Sequence, residues 1–360
     1  MAGRIVSVSG PADNIRIQGT STLNAFQRDL GIPSVGFRAD NMRVFVFRNR
    51  EEMGAAAAFA LEQNTQRLVN EHGAFRGIFA AAPSQNDVYA SLVQSKTFPW
   101  QAAEGLFMMD EYTKLDPADP RTFKYYHNTH LWGPALSAGR AIDPSKIFQL
   151  NGLAADTQME CLRYANLLIA GIAPVIIQGG YGEKNVHIAF NDPPDALFKD
   201  PFMVKYIELA MAAKQQQVNE GHYASVEELP NALTLSVPAL TTNPYYTVSY
   251  WSSVVPTENK ATAIFAALFE PISEAFPGTA LRSKDMVTKA NLFVDMESSY
   301  LVRDALSKLG VDFSSLERKP SGIVGPQKPV KGTGFSNGES SAGGKWGGAS
   351  GDPLRGRDMG

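Results

Sequence analysis

Apolar and polar positions along this chain fall into alternating blocks. From position 42 onward, short apolar runs rich in β-branched residues are followed by longer stretches with helical spacing. The pattern predicts strands at 43–47, 75–81, 103–109, 146–150 and 173–178. Between them it predicts helices at 51–68, 84–94, 120–132 and 156–170. After a mixed segment come 232–237, a strand at 245–251 and a helix at 257–269. A last strand at 292–295 and a last helix at 298–309 close the series. Strands alternating with helices imply right-handed crossovers, hence a doubly wound α/β fold with a mostly parallel sheet and helices on both faces. No internal repeat is visible.

Both ends break the pattern. Before the α/β domain, expected over 43–317, residues 1–42 read as an extension. It would hold short strands at 4–8 and 14–18 around Gly10-Pro11 and a short helix at 20–30. After the domain, residues 318–360 read as a disordered tail. About a dozen glycines, many serines and Pro326, Pro329 and Pro353 leave too little apolar surface there to offset the entropy of ordering. Phe335 and Trp346 stand alone in it.

Composition narrows the function classes. The 360 residues carry a formal net charge of −3, which argues against a nucleic-acid partner, because phosphate binding usually shows as basic excess. The tail holds a mild basic excess, so the folded part is more acidic still, and an anionic ligand would need local cations. A single cysteine, Cys161, excludes an internal disulfide framework and suits a reducing compartment. The longest apolar run, 165–177, is interrupted by Asn166, Gly171 and Pro174. It falls short of the roughly 20 residues a membrane span needs. The start lacks a charged segment followed by an apolar one, so no secretory signal is expected. These features predict a cytoplasmic protein without a membrane partner.

In an open parallel sheet, ligands gather beyond the carboxyl ends of the strands. Four such ends carry polar chemistry. At 80–89, small residues and Pro83 lead to Ser84 opening a helix with Asp87 three positions on. This is a capping-box spacing, and equally a place for free N–H groups to meet a phosphate. At 107–112, Asp110 and Glu111 follow an apolar strand. Neighbours on a strand point to opposite faces, so one of them faces a ligand, either as a proton-transfer base or merely as a solvated acid. At 178–194, three glycines follow a buried strand, then Asn185, His187 and Asp192. Glycines there let backbone approach a ligand, and Asp192 can orient the histidine. The glycine spacing is not a dinucleotide fingerprint, and no second ligand at metal-site spacing accompanies His187. Lys260 sits in the first turn of the helix expected at 257–269. A cation there opposes the helix dipole, so it is either a surface lysine or one kept for an anion.

Taken together and in order, these stretches resemble the glucosamine-6-phosphate deaminase/isomerase family. The match is carried by Met109-Asp-Glu-Tyr112, Phe148-Gln-Leu-Asn-Gly152, the His187-Ile-Ala-Phe-Asn-Asp-Pro193 run and Lys260. It spans about residues 43–302. The lactonases related to that family prefer Asp-Glu-Arg at the first site and Ser-Leu-Phe-Pro at the second, and neither occurs. The resemblance implies a Rossmann-like fold of the deaminase/isomerase type. It implies conversion of glucosamine 6-phosphate, or a related amino-sugar phosphate, to fructose 6-phosphate and ammonia, with no cofactor or metal. Asp110 would shuttle a proton between C2 and C1, and His187 would open the sugar ring, with Asp192 and Asn185 beside it. Ala82, Ser84, Gln85, Asn86, Gly179, Gly180 and Lys260 would hold substrate and phosphate. A homo-oligomer is also implied. A lactonase-type hydrolase and a non-catalytic sugar-phosphate binder are the alternatives. The sequence departs from the family pattern at several points. The loop is Ala81-Ala-Pro-Ser84 rather than a glycine pair, and Asn185 stands for an acid. Val186 replaces the glycine before the histidine, Asp192 is one methylene shorter than a glutamate, and glutamines at 215–217 replace an arginine.

Overall fold

The computed structural model describes residues 16–19, 25–183, 185–219 and 223–317. All belong to the first of two units, Met1–Lys319. The strand expected at 4–8 and the tail expected at 318–360 lie outside the described residues.

In chain order the strands are β1 Ile17–Gly19, β2 Val35–Ala39, β3 Met42–Phe47, β4 Phe75–Phe79, β5 Ala103–Met108, β6 Asp110–Tyr112, β7 Ile147–Phe148, β8 Val175–Gly179, β9 Val204–Ile207, β10 Ala232–Leu235, β11 Val248–Val255 and β12 Ala290–Asp295. Nine of them form one sheet in the order β1-β2-β3-β12-β11-β8-β4-β5-β7. From β3 to β7 every pairing is parallel. The edge made by β1 and β2 pairs antiparallel onto β3, so residues 17–39 widen the same sheet.

The strands sort their side chains onto two faces, as a period of two dictates. Val44, Val46, Ile78, Ile177, Leu292 and Val294 share one apolar cluster with Tyr164 and Leu168, Ile264, and Val302 and Leu306. These last come from the helices Thr157–Ala170, Ala261–Phe269 and Tyr300–Lys308. Phe45, Phe47, Phe75, Phe79, Ile176 and Phe293 join the opposite cluster with Leu61, Leu68, Val88 and Trp132. Those four come from Arg50–His72, Asn86–Gln94 and Trp132–Ser137. Each fully buried side chain of this kind contributes roughly 1.5–3 kcal/mol. The doubly wound architecture follows from that split.

Local chemistry explains the boundaries. Arg50–His72 starts where the Asn49 side chain accepts from the Glu52 N–H, and stops at Gly73, whose φ of 81° only glycine adopts freely. The helical stretch expected at 120–132 breaks at Leu131 into Phe123–His130 and Trp132–Ser137. The strand expected at 245–251 instead spans Val248–Val255, which places Lys260 just beyond a strand end.

Two arrangements position the site. First, β4 and β8 are neighbours, but their onward crossovers run to opposite sides, to β5 and to β11. A crevice opens at such a switch point. Second, the chain leaves the main sheet at Met109 and enters a separate antiparallel sheet, β6-β10-β9. Of the stretch expected at 232–237, Ala232–Leu235 therefore joins this second sheet and not the main one, a pairing no local pattern announces, and Val237 opens a short helix. Among the described residues, no helix is long and apolar enough to cross a membrane.

Candidate functional site

The crevice is a cleft of about 400 Å³. Its walls come from the loops after β4, β8 and β11, from the β5–β6 junction, and from Arg50, Phe123 and Gln217.

The loop after β4 is tied down from below. The Ala80 N–H donates to the Gln178 carbonyl at 2.9 Å, and the Ala80 carbonyl receives the Tyr89 hydroxyl. Tyr126 Oη lies 2.6 Å from both the Ala82 carbonyl and Asn86 Oδ1. Gln85 is fully buried. Its Oε1 accepts from Gln178 at 2.8 Å, and its Nε2 donates to Ser84 Oγ at 2.9 Å. Ser84 Oγ thus accepts from below, which leaves its own O–H for an acceptor in the cleft.

Asp110 and Glu111 separate as strand neighbours must. Asp110 faces the cleft and is 6% exposed. Burial pushes its carboxyl well above the usual carboxylate range, and the Glu111 charge adds to the effect. Glu111 turns the other way and caps the helix Phe123–His130. It accepts from the N–H groups of Phe123 at 2.9 Å, Lys124 at 2.7 Å and Tyr112 at 2.8 Å. Burial still pushes it up to about 7 against the pull of those donors. That cap holds Phe123 at the cleft wall and Tyr126 against the Ala82 loop.

The loop after β8 is built around His187. Its Nδ1 lies 3.1 Å from the Asp192 carboxylate. An acceptor on Nδ1 assigns the proton to that nitrogen in the neutral ring and leaves Nε2 as the working atom. Burial disfavours the Asp192 carboxylate, but the His187 charge and hydrogen bonds from His187 and Asn185 more than offset this and hold its pKa below the ordinary value. Gly182 lies directly against the ring: a Cβ there would meet the imidazole atoms at 2.2–2.3 Å. At Gly180, a Cβ would stand 2.8 Å from the Val254 carbonyl oxygen. Val186 keeps the left-handed backbone that a glycine would favour, with φ of 55°. A β-branched residue there costs about 1–3 kcal/mol. The surroundings impose it, since Val186 is fully buried and its carbonyl accepts from Gly278 at 2.8 Å.

Beyond β11, Lys260 lines the cleft 3.8 Å from Glu183 Oε1, which also accepts from Asn259 at 2.7 Å.

The structure therefore brings Ala82, Ser84, Gln85, Asp110, Gly180, His187 and Lys260 to one cleft. The other expected residues stand behind it. Asp192 acts on His187, and Asn185 contacts Asp192 at 3.4 Å rather than the imidazole. Asn86 is turned to Tyr126, and Gly179 ends β8 with its Cβ space 3.1 Å from Met109. Gln85 reaches the cleft wall, but its Oε1 accepts from Gln178 and its Nε2 donates to Ser84 Oγ and, at 3.4 Å, to the Val254 carbonyl, so it braces the loop. Arg50 was not singled out by pattern. The signal was present, because a cation in a first helical turn is the same anomaly that points to Lys260.

No family model matches the chain. A glucosamine-6-phosphate deaminase of Bacillus velezensis is 28% identical over 255 residues, covering 69% of this chain and 95% of that protein. One from Bacillus pumilus is 25% identical over 266 residues, covering 72% of this chain and 100% of that protein. The chain is similar to these glucosamine-6-phosphate deaminases over most of their length. Among solved structures, a monomeric glucosamine-6-phosphate deaminase shares the fold at a TM-score of 0.61, with 24% identity, over 72% of this chain and 99% of that one. The 6-phosphogluconolactonase of Thermotoga maritima shares it at 0.55, with 15% identity, over 70% and 98%.

Proposed function

We propose that the cleft converts glucosamine 6-phosphate, or a closely related amino-sugar phosphate, to the ketose phosphate and ammonia. The observation that carries this reading is Asp110. It is a buried carboxyl at the cleft wall, and among the described residues no donor holds it. A base that must move a proton between adjacent carbons needs that freedom, and a raised pKa brings its strength closer to neutral pH.

The residues divide the work. Ser84 and Lys260 receive the phosphate at one side of the cleft. His187, fixed through Nδ1 by Asp192, uses Nε2 to take the proton from the C1 hydroxyl and pass it to the ring oxygen as the sugar opens. Asp110 removes the proton from C2 and returns it to C1. The C2–N bond then has imine character; water adds at C2, and ammonia leaves. Water is consumed, the amine is released, and no electrons are exchanged with an outside partner.

The same fold hosts lactonases, so the assay has two arms. Purified protein given glucosamine 6-phosphate should release ammonia and fructose 6-phosphate in equal amounts. Hydrolysis of a 6-phosphosugar lactone without ammonia release would assign it to the hydrolase reading instead. Binding of the sugar phosphate with neither reaction would assign it to a non-catalytic role. We further propose a cytoplasmic enzyme that assembles as a homo-oligomer; sedimentation of the full chain tests the second point.

A further inference from the structure

Among the described residues, Arg50 is the one cleft-lining cation that neither the sequence pattern nor the resemblance assigns. It occupies the first turn of Arg50–His72, where a positive charge opposes the helix dipole by about 0.3–1 kcal/mol. Its orientation is fixed in spite of that. Nε lies 2.5 Å from Asp87 Oδ2, and one terminal nitrogen donates to the Pro83 carbonyl. Both anchors lie on the loop and helix that follow β4. Among the described residues, the other terminal nitrogen makes no hydrogen bond, and the side chain lines the cleft.

The fit is built into the packing. Gly54, one turn along and on the same face as Arg50, meets Asp87 so closely that a Cβ would stand 2.4 Å from the Asp87 Cβ and 3.2 Å from its carbonyl carbon. Only a glycine allows these two helices to approach so far. That approach brings Asp87 within reach of the guanidinium. A planar guanidinium pinned along one edge presents its remaining donors in a fixed direction, which is the geometry phosphate oxygens accept. Ser84, with its hydroxyl proton free for the cleft, adjoins Pro83 on the same loop.

We propose that Arg50 is a phosphate-binding residue of this cleft and grips the 6-phosphate together with Ser84 and Lys260. The inference rests on the sugar-phosphate reading of the site. It gives the substrate a direction: the phosphate lies toward Arg50 and Ser84, and C1 and C2 lie toward Asp110. Asp87 then serves as a positioning residue that aims the guanidinium.

The test measures inorganic phosphate binding by calorimetry, and kcat and KM for glucosamine 6-phosphate, in the wild type, Arg50→Ala and Arg50→Lys. Arg50→Ala should weaken phosphate binding about tenfold or more and raise KM by a similar factor, with kcat reduced less than about threefold. Arg50→Lys should recover part of the affinity and keep the protein folded if the alanine variant does not. Unchanged phosphate affinity and KM in a folded variant would overturn the proposal. So would a fall in kcat and melting temperature with KM intact, which would make Arg50 a brace for the Pro83 loop only. A wild type that binds no phosphate would overturn it as well. Arg50-dependent phosphate binding without ammonia release would uphold Arg50 and sink the deaminase reading. Ammonia release unaffected by Arg50→Ala would do the reverse.

Discussion

Gly182→Ala isolates the placement of His187 from the stability of the fold. The new Cβ would sit 2.2–2.3 Å from three imidazole atoms. Ordinary carbon contacts lie near 3.5–4 Å, so the ring must retreat by about 1 Å or more. The Nδ1 contact to Asp192, now 3.1 Å, would then pass beyond hydrogen-bond range. A 1 Å displacement of a catalytic group costs about 10²-fold in rate, or about 2.7 kcal/mol of barrier. The stability cost is smaller. Overpacking costs about 1–3 kcal/mol, and the low end applies because the atoms met belong to the tip of one side chain. Replacing glycine also recovers about 0.4–1 kcal/mol from the unfolded chain. Steady-state ammonia release and a thermal melt on the same preparation measure both terms. The expected outcome is a loss of about 10²-fold in kcat with a melting temperature within a few degrees of the wild type. His187→Ala combined with Gly182→Ala should be little worse than His187→Ala alone, because both remove one function. Full activity in a folded Gly182→Ala variant would refute the assigned role of the ring.

Other consequences follow from the same geometry. Burial raises the folded-state pKa of Glu111 from an ordinary 4.5 to about 7. The folded protein therefore binds this proton more tightly than the unfolded chain between those pH values. The associated stability is complete below about 4.5 and is lost as pH rises through 7, on the order of 3 kcal/mol in all. Relative to Glu111→Gln, the wild type should lose that amount across this window in denaturant titrations; a pH-independent difference would contradict the assignment. Gln85→Ala removes the acceptor of the buried Gln178 amide and should cost about 1–3 kcal/mol of unfolding free energy. No change in the denaturation midpoint would mean the tie is dispensable. Lys260→Met should raise KM for glucosamine 6-phosphate about tenfold and leave KM for unphosphorylated glucosamine unaltered, since a charge-assisted bond to phosphate is removed. An equal rise for both sugars would place Lys260 elsewhere on the substrate.

The parallel sheet was legible because its strands are buried on both faces, and runs such as 173–178 therefore stand out against helical flanks. The separation of Asp110 from Glu111 was also legible, because alternation along a strand is geometric. Partners beyond the local chain were not. Glu111 caps a helix that starts twelve residues later, and β6 pairs with β10 more than a hundred residues away. The small sheet that presents Asp110 therefore left no periodic trace. Gln85 sits in the right loop for a phosphate ligand, but its N–H donors turn to Ser84 and to the Val254 carbonyl on β11, while its oxygen accepts from Gln178 on β8. Val186 shows a different limit. Its sequence identity argued for a changed loop, but burial against Gly278 holds the backbone in the left-handed form all the same.

The central claim is that Asp110 moves the proton between C2 and C1. Asp110→Asn keeps the shape of the carboxyl and removes its basicity. Ammonia release from glucosamine 6-phosphate by the wild type and by this variant, with phosphate binding measured alongside, tests the claim most directly. The wild type should turn over, and Asp110→Asn should lower kcat about 10²–10⁴-fold with phosphate affinity retained. An asparagine variant that releases ammonia at the wild-type rate would contradict it.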